Sequence, residues 1–145
     1  MEASKELING ILIFLGIGLY FLFINAIGYA NVTYLRLFNV VFLFYGVNKT
    51  IRMNLAEGKT NFVKNAVSAM TTCVVGVSLS ILGLLIFSNS YGGANYIKDL
   101  SESFLFGGNP SVTTYCLSLF FEGIASAVIV TFMLMTYWNS RFVAD

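Results

Sequence analysis

Histidine is absent from this sequence. With it go the commonest ligand for haem, copper, zinc and non-haem iron, and the usual proton carrier near neutral pH. Charge is scarce as well: 10% of the residues are Asp, Glu, Lys or Arg, against about 25% in a soluble domain. Eight basic and seven acidic side chains cannot coat a 145-residue globule, so most of the folded surface must face lipid or a partner in lipid. The net charge of +1 gives no argument for nucleic acid. Proline occurs once, at Pro110, and cysteine twice, at Cys73 and Cys116. Both cysteines fall inside apolar runs and read as small buried hydrophobes. Paired acids, a Ser–Lys couple and a metal-ligand cluster are also missing. Intramembrane enzyme chemistry therefore has little to build on, and no cofactor or metal is expected.

What the chain does have is apolar sequence: 57% hydrophobic residues and a mean hydropathy of +0.79. The charge-free run Leu7–Leu35 is far longer than the roughly 7–15 residues of a signal-peptide core. The preceding MEASKE also carries two acids against one Lys, so the run reads as a first membrane helix, about Leu7 to Ala30. A second helix, about Thr33 to Met53, spans roughly 30 Å at 1.5 Å per residue, with Arg36 and Lys49 snorkelling to opposite interfaces. A third runs from about Phe62 to Ser88. The fourth, about Ser111 to Trp138, is interrupted only by Glu122, with Asn109 as its N-cap and Pro110 at its first position. The expectation is an all-α polytopic membrane protein, a single domain over residues 1–145 with four transmembrane helices in an antiparallel bundle.

The organising stretch is Phe42 to Phe87, a helical hairpin whose turn carries Lys49, Arg52, Lys59 and Lys64 with Glu57 as its only acid. With both termini cytoplasmic, Lys5, Arg141 and these four lie inside, and only Arg36 and Lys98 outside, as the positive-inside rule requires. In the outer connection Asn89–Pro110, Tyr96, Ile97, Leu100, Phe104 and Leu105 recur at helical spacing. That predicts a short amphipathic helix over about 95–106 on the outer membrane surface, either closing the bundle or binding something. Of the Asn-x-Thr triplets, Asn31-Val32-Thr33 lies beside the membrane and Asn48-Lys49-Thr50 at a cytoplasmic helix end, so no glycan is expected.

Glu122 is the sharpest single feature. About ten residues into its helix it lies roughly 15 Å deep, where a charge costs on the order of 3 kcal/mol. It should therefore face the bundle and be neutral, paired or wet. Tyr115, Ser118, Glu122 and Ser126 share a face, with Gly123 and Ala127 adjoining. Three readings stay open: a proton or cation site, a neutral Glu bonded to Asn25, Asn39, Thr72 or Ser80, and a salt bridge to Arg36 if the second helix tilts. The third helix carries a small-residue face, Asn65, Ala69, Thr72, Gly76, Ser80 and Gly83. Such faces let backbones approach closely in lipid, toward this chain's own helices or a second protein.

Tyr34 to Phe87, opening YLRLFNVVFLFYGVNKTIRMNLAEGKTNFVKNAVSAM, resembles a bacterial family of small four-helix inner-membrane proteins common in the Bacteroidota. In that family a K-x-x-R turn, here Lys49 and Arg52, is followed by a Gly and a Phe, here Gly58 and Phe62, leading into a small-residue third helix. The final stretch FFEGIASAVIVTFMLMTYW, with Glu122, Gly123 and Ser126, is similar to its last helix. The turn here lacks the family's usual run of charges. The resemblance implies four helices and a bacterial inner membrane, and no activity. Two functions are expected from the residues themselves. One is a non-enzymatic accessory or scaffold subunit of a larger inner-membrane complex, with lipids and other membrane subunits, or itself, as partners. The other is a small homo-oligomeric transporter or channel using Glu122 as a proton or cation site.

Overall fold

A computed structural model describes residues 4–101 and 109–143. The elements, in order, are α1 (Lys5–Ala26), α2 (Thr33–Leu37), α3 (Val40–Ala56), α4 (Phe62–Ser90), α5 (Ala94–Leu100) and α6 (Val112–Tyr137), followed by a 3₁₀ turn at Asn139–Arg141. The described residues contain no β-strand. Three helices, α1, α4 and α6, are long and apolar enough to cross a membrane. The expected second span departs from expectation: it is broken at Phe38–Asn39, and its longer part, α3, has 17 residues.

The break has a visible cause in the backbone. Phe38, Asn39, Val41 and Phe42 each donate to the carbonyl three residues back, so the chain tightens to 3₁₀ pitch and redirects. The Leu35 carbonyl accepts from the Tyr20 hydroxyl of α1 at 2.9 Å as well as from Phe38 N–H. Together, α2 and α3 run antiparallel to α1, from Tyr20 beside Phe38 at one end to Asn9 beside Thr50 at the other.

Local chemistry sets the remaining boundaries. The Ser4, Asn61 and Ser111 side chains each accept the amide of the residue three positions on, capping α1, α4 and α6. Ser111 thus displaces Asn109 as the expected cap, and Pro110 stands just before the helix instead of inside it. Helices α1 and α3 stop at Gly28 (φ 81°) and Gly58 (φ 74°), left-handed positions that a Cβ would disfavour. In both, the next residue's N–H reaches back to the helix, Tyr29 to Ile24 O and Lys59 to Asn54 O, each at 2.9 Å. So α1 ends at Ala26, four residues short of the expected Ala30.

Helix α4 is the hub. It packs on α1, α3 and α6, while α3 also touches α1 and α6. The core consists of Ile13, Leu43, Val47, Ile51, Ala69, Cys73, Val77, Ala127, Val130, Leu134 and Met135. The small residues of α4 are used within the chain. Gly76 admits Ile13, Gly83 admits Phe14, and Ala69 is fully buried. Gly123 of α6 admits Val77 in return. Cys73 and Cys116 are both free and buried. Beyond these contacts the perimeter is greasy: Leu19, Phe23, Tyr45, Val67, Ile86, Phe121 and Phe132 are among its exposed side chains.

One end of the bundle gathers the basic residues. Lys5 and Lys59 share Glu57, and Arg52 and Arg141 line the same shallow depression. At this end Val143 N–H donates to Thr60 O at 3.0 Å, tying the chain's last described residue to the α3–α4 turn. At the opposite end α5 folds inward. Its Ile97 and Leu100 are buried against Tyr115, and Tyr96 donates to Asn25 Oδ1 at 2.8 Å. The apolar side of α5 therefore covers the bundle end, where the sequence had suggested it would lie on the membrane surface. Residues 102–106 of the expected helix, with Phe104 and Leu105, lie outside the described residues.

Candidate functional site

Two polar arrangements interrupt the apolar interior. The first is a seam through α1, α3 and α4 near the basic end. Asn9 donates to the Thr50 hydroxyl at 2.9 Å, and Thr50 and Thr72 share a hydrogen bond of 2.9 Å. One turn nearer the surface, Asn54 donates to Ser68 at 3.0 Å and accepts from Lys5 at 2.9 Å, and Ser68 donates to Glu6. Asn9, Thr50 and Thr72 are fully buried, and both hydroxyls and the Asn9 Nδ2 are paired, whereas Asn9 Oδ1 is buried without a partner. The pattern follows from position: Thr50 and Asn54, and Ser68 and Thr72, stand four apart on their helices and so stack on one face. Outside the spans, Lys5 and Lys59 hold Glu57 down to about 2, through their hydrogen bonds, and Lys59 is raised in turn by Glu57.

The second arrangement is a cavity of about 230 Å³ toward the other end, between α1, α2, α3, α4 and α6. Phe14, Phe21 and Phe87 contribute aromatic wall, while Arg36, Asn39, Ser80, Tyr115, Glu122 and Ser126 supply its polar groups. Arg36 Nη2 lies 3.6 Å from the Glu122 carboxylate, and Nη1 donates to the Tyr115 hydroxyl at 3.2 Å. The break at Phe38–Asn39 lets α2 lean in so that Arg36 reaches α6 instead of snorkelling outward. Its side chain keeps 18% of its exposure and that of Glu122 keeps 44%. Burial against α5 holds the Tyr115 ring in place. In turn, α5 rests on Tyr96, whose phenol is pushed up to about 12 by burial and stays a donor to Asn25 at any ordinary pH.

The residues singled out from the sequence are thus partly brought together. Arg36, Tyr115, Glu122 and Ser126 line one cavity, whereas Ser118 is turned to its own helix and donates to Thr114 O at 3.0 Å. Of the partners considered for Glu122, the salt bridge to Arg36 is the one that forms. Asn25 accepts from Tyr96, Thr72 bonds Thr50, and Ser80 donates to Gly76 O. Asn39 lines the cavity, but its Oδ1 is buried without a partner, as is Arg36 Nε. The seam has no counterpart among the sequence-based expectations, although Thr50 with Asn54 and Ser68 with Thr72 were a legible signal: polar residues four apart within apolar helices. The chain matches no protein-family model, no curated protein and no solved structure.

Proposed function

We propose that this chain is a non-enzymatic membrane protein that crosses a bacterial inner membrane four times, with its basic end cytoplasmic, and acts as an accessory or scaffold subunit of a larger assembly. The fourth crossing is α2 and α3 taken together, which run the length of α1 despite the break. The observation that carries the accessory role is Glu122. Its carboxylate keeps 44% of its exposure, on a helix whose neighbouring Leu117 and Phe121 are exposed apolar groups. In hydrocarbon such a carboxylate is costly, and cover by a second membrane protein relieves that cost. Phe121, Val128, Ile129 and Phe132 on the same helix supply the apolar contact around it.

The alternative, a homo-oligomeric transporter or channel with Glu122 as its cation site, draws less from the geometry. The guanidinium of Arg36 already occupies the position a transported cation would take. The deciding measurement is the mass and composition of the particle extracted in mild detergent at native expression. A second membrane protein in fixed stoichiometry, lost from the particle when Phe121 and Phe132 are changed to Ala, is the expected result. A particle made of this chain alone in every mild extraction overturns the accessory reading.

A further inference from the structure

We propose that the cavity that Arg36 and Glu122 share is a binding site for an uncharged, ring-sized molecule drawn from the bilayer and carrying a hydroxyl or carbonyl oxygen. This goes beyond the accessory role and does not depend on it.

Size comes first. An apolar cavity of about 150 Å³ holds benzene, so one of about 230 Å³ accepts a larger molecule, on the order of two fused rings. Walls of Phe14, Phe21 and Phe87 suit the faces of such rings. Access comes second. Leu22 and Leu37 line the cavity and are also among the exposed side chains of the perimeter, so its mouth opens where lipid lies. A ligand that dissolves in hydrocarbon reaches it without crossing water.

Charge decides the class. Arg36 and Glu122 face each other at 3.6 Å and neutralise one another. A ligand with a net charge would leave that charge uncompensated in an apolar enclosure, which is expensive. A neutral oxygen adds none. The pair also offers both halves of a hydrogen bond to one ligand. Arg36 has N–H groups beyond the one given to Tyr115, and Glu122 has accepting lone pairs beyond its contact with Arg36. A hydroxyl can accept from Arg36 and donate to Glu122, and a carbonyl can accept from Arg36.

The test uses the full chain in lipid nanodiscs and three probes of one shape: 2-naphthol, naphthalene and 2-naphthoate. Saturable one-to-one binding of 2-naphthol above that of empty nanodiscs is expected, with naphthalene weaker by about tenfold for want of the hydrogen bonds. The charged 2-naphthoate should be weaker still. Gly18 lines the cavity and a Cβ there would meet nothing within 4 Å, so Gly18→Leu adds four carbons at the cavity wall without a backbone clash and should weaken 2-naphthol binding by about tenfold or more while the protein stays folded. Equal binding of naphthalene, tighter binding of 2-naphthoate, no saturable binding of 2-naphthol, or a folded Gly18→Leu protein that binds 2-naphthol as tightly as before would each overturn the proposal. The three-probe comparison on the unmodified chain decides on its own should Gly18→Leu fail to fold.

Discussion

A Cβ placed on Gly76 would stand 2.7 Å from Cγ2 of Ile13, closer than real Cβ contacts come. Ile13 is 1% exposed and presses on Gly46 with its other branch, where a Cβ would meet Cγ1 at 2.4 Å. One isoleucine of α1 is therefore wedged between two glycines of different helices. Gly76→Ala and Gly46→Ala should each destabilise the bundle by about 1–3 kcal/mol through overpacking. Ile13→Ala leaves a void and costs about 2–5 kcal/mol alone, but combined with Gly76→Ala the two costs should be less than additive. Unfolding in detergent of the two singles and the double measures this, and strict additivity would refute the wedge.

That contact also shows how far the sequence could be read. The stripe Ala69, Gly76, Ser80 and Gly83 announced a close-packed face on α4 because small residues at spacings of three and four share a side. It could not announce what fills the notch, since Ile13 is one of many branched apolar residues on α1 and nothing local marks it. The break at Phe38–Asn39 was hidden for a related reason. No Pro or Gly stands there, and the Leu35 carbonyl beside the break is held by a tertiary partner, the Tyr20 hydroxyl. Once the break is known, Arg36 facing Glu122 follows, and the site with it. Glu122 itself was legible because a lone carboxylate in an apolar run is conspicuous whatever its surroundings.

The buried seam makes the second prediction. Thr50→Val keeps the shape and removes the hydroxyl that accepts from Asn9 and bonds Thr72. Loss of about 0.6–2 kcal/mol is expected, the range for hydrogen bonds between membrane helices. Thr50→Ser should recover most of it. If Thr50→Val is as stable as Thr50→Ser in the same detergent, the seam contributes nothing to holding α1, α3 and α4 together.

A third prediction concerns the ion pair. Arg36→Met leaves Glu122 without its counter-charge and should cost up to about 3 kcal/mol. The double change Arg36→Met with Glu122→Leu removes both charges and should be more stable than Arg36→Met alone. Stabilities ranked the other way would mean that the 3.6 Å contact does not matter to the fold.

Acid gives the fourth. Lys5 and Lys59 hold Glu57 down to about 2 from its ordinary 4.5. A group depressed in the folded state stabilises it above the ordinary value and loses that contribution as pH falls from there through the folded value. The chain should thus lose stability between about pH 4.5 and pH 2, modestly and less at high salt because the pairing is solvent-exposed. Glu57→Gln should flatten that limb of a stability–pH curve at low salt. An unchanged limb would assign the acid response to other carboxylates.

The central place of α4 has a consequence for biosynthesis. A chain made from its N-terminus delivers α1, α2 and α3 to the membrane before the helix that α1, α3 and α6 pack against. Until α4 follows, Ile13 has half its notch, and Asn9 and Thr50 have each other but not Thr72. The first hairpin is therefore an unfinished surface awaiting its centre, while α6 docks last and completes the core with Ala127 and Val130. Loss of α4 should leave only the direct contacts of α3 with α1 and α6, whereas a chain ending before α6 still has every residue of the seam and of the Ile13 wedge.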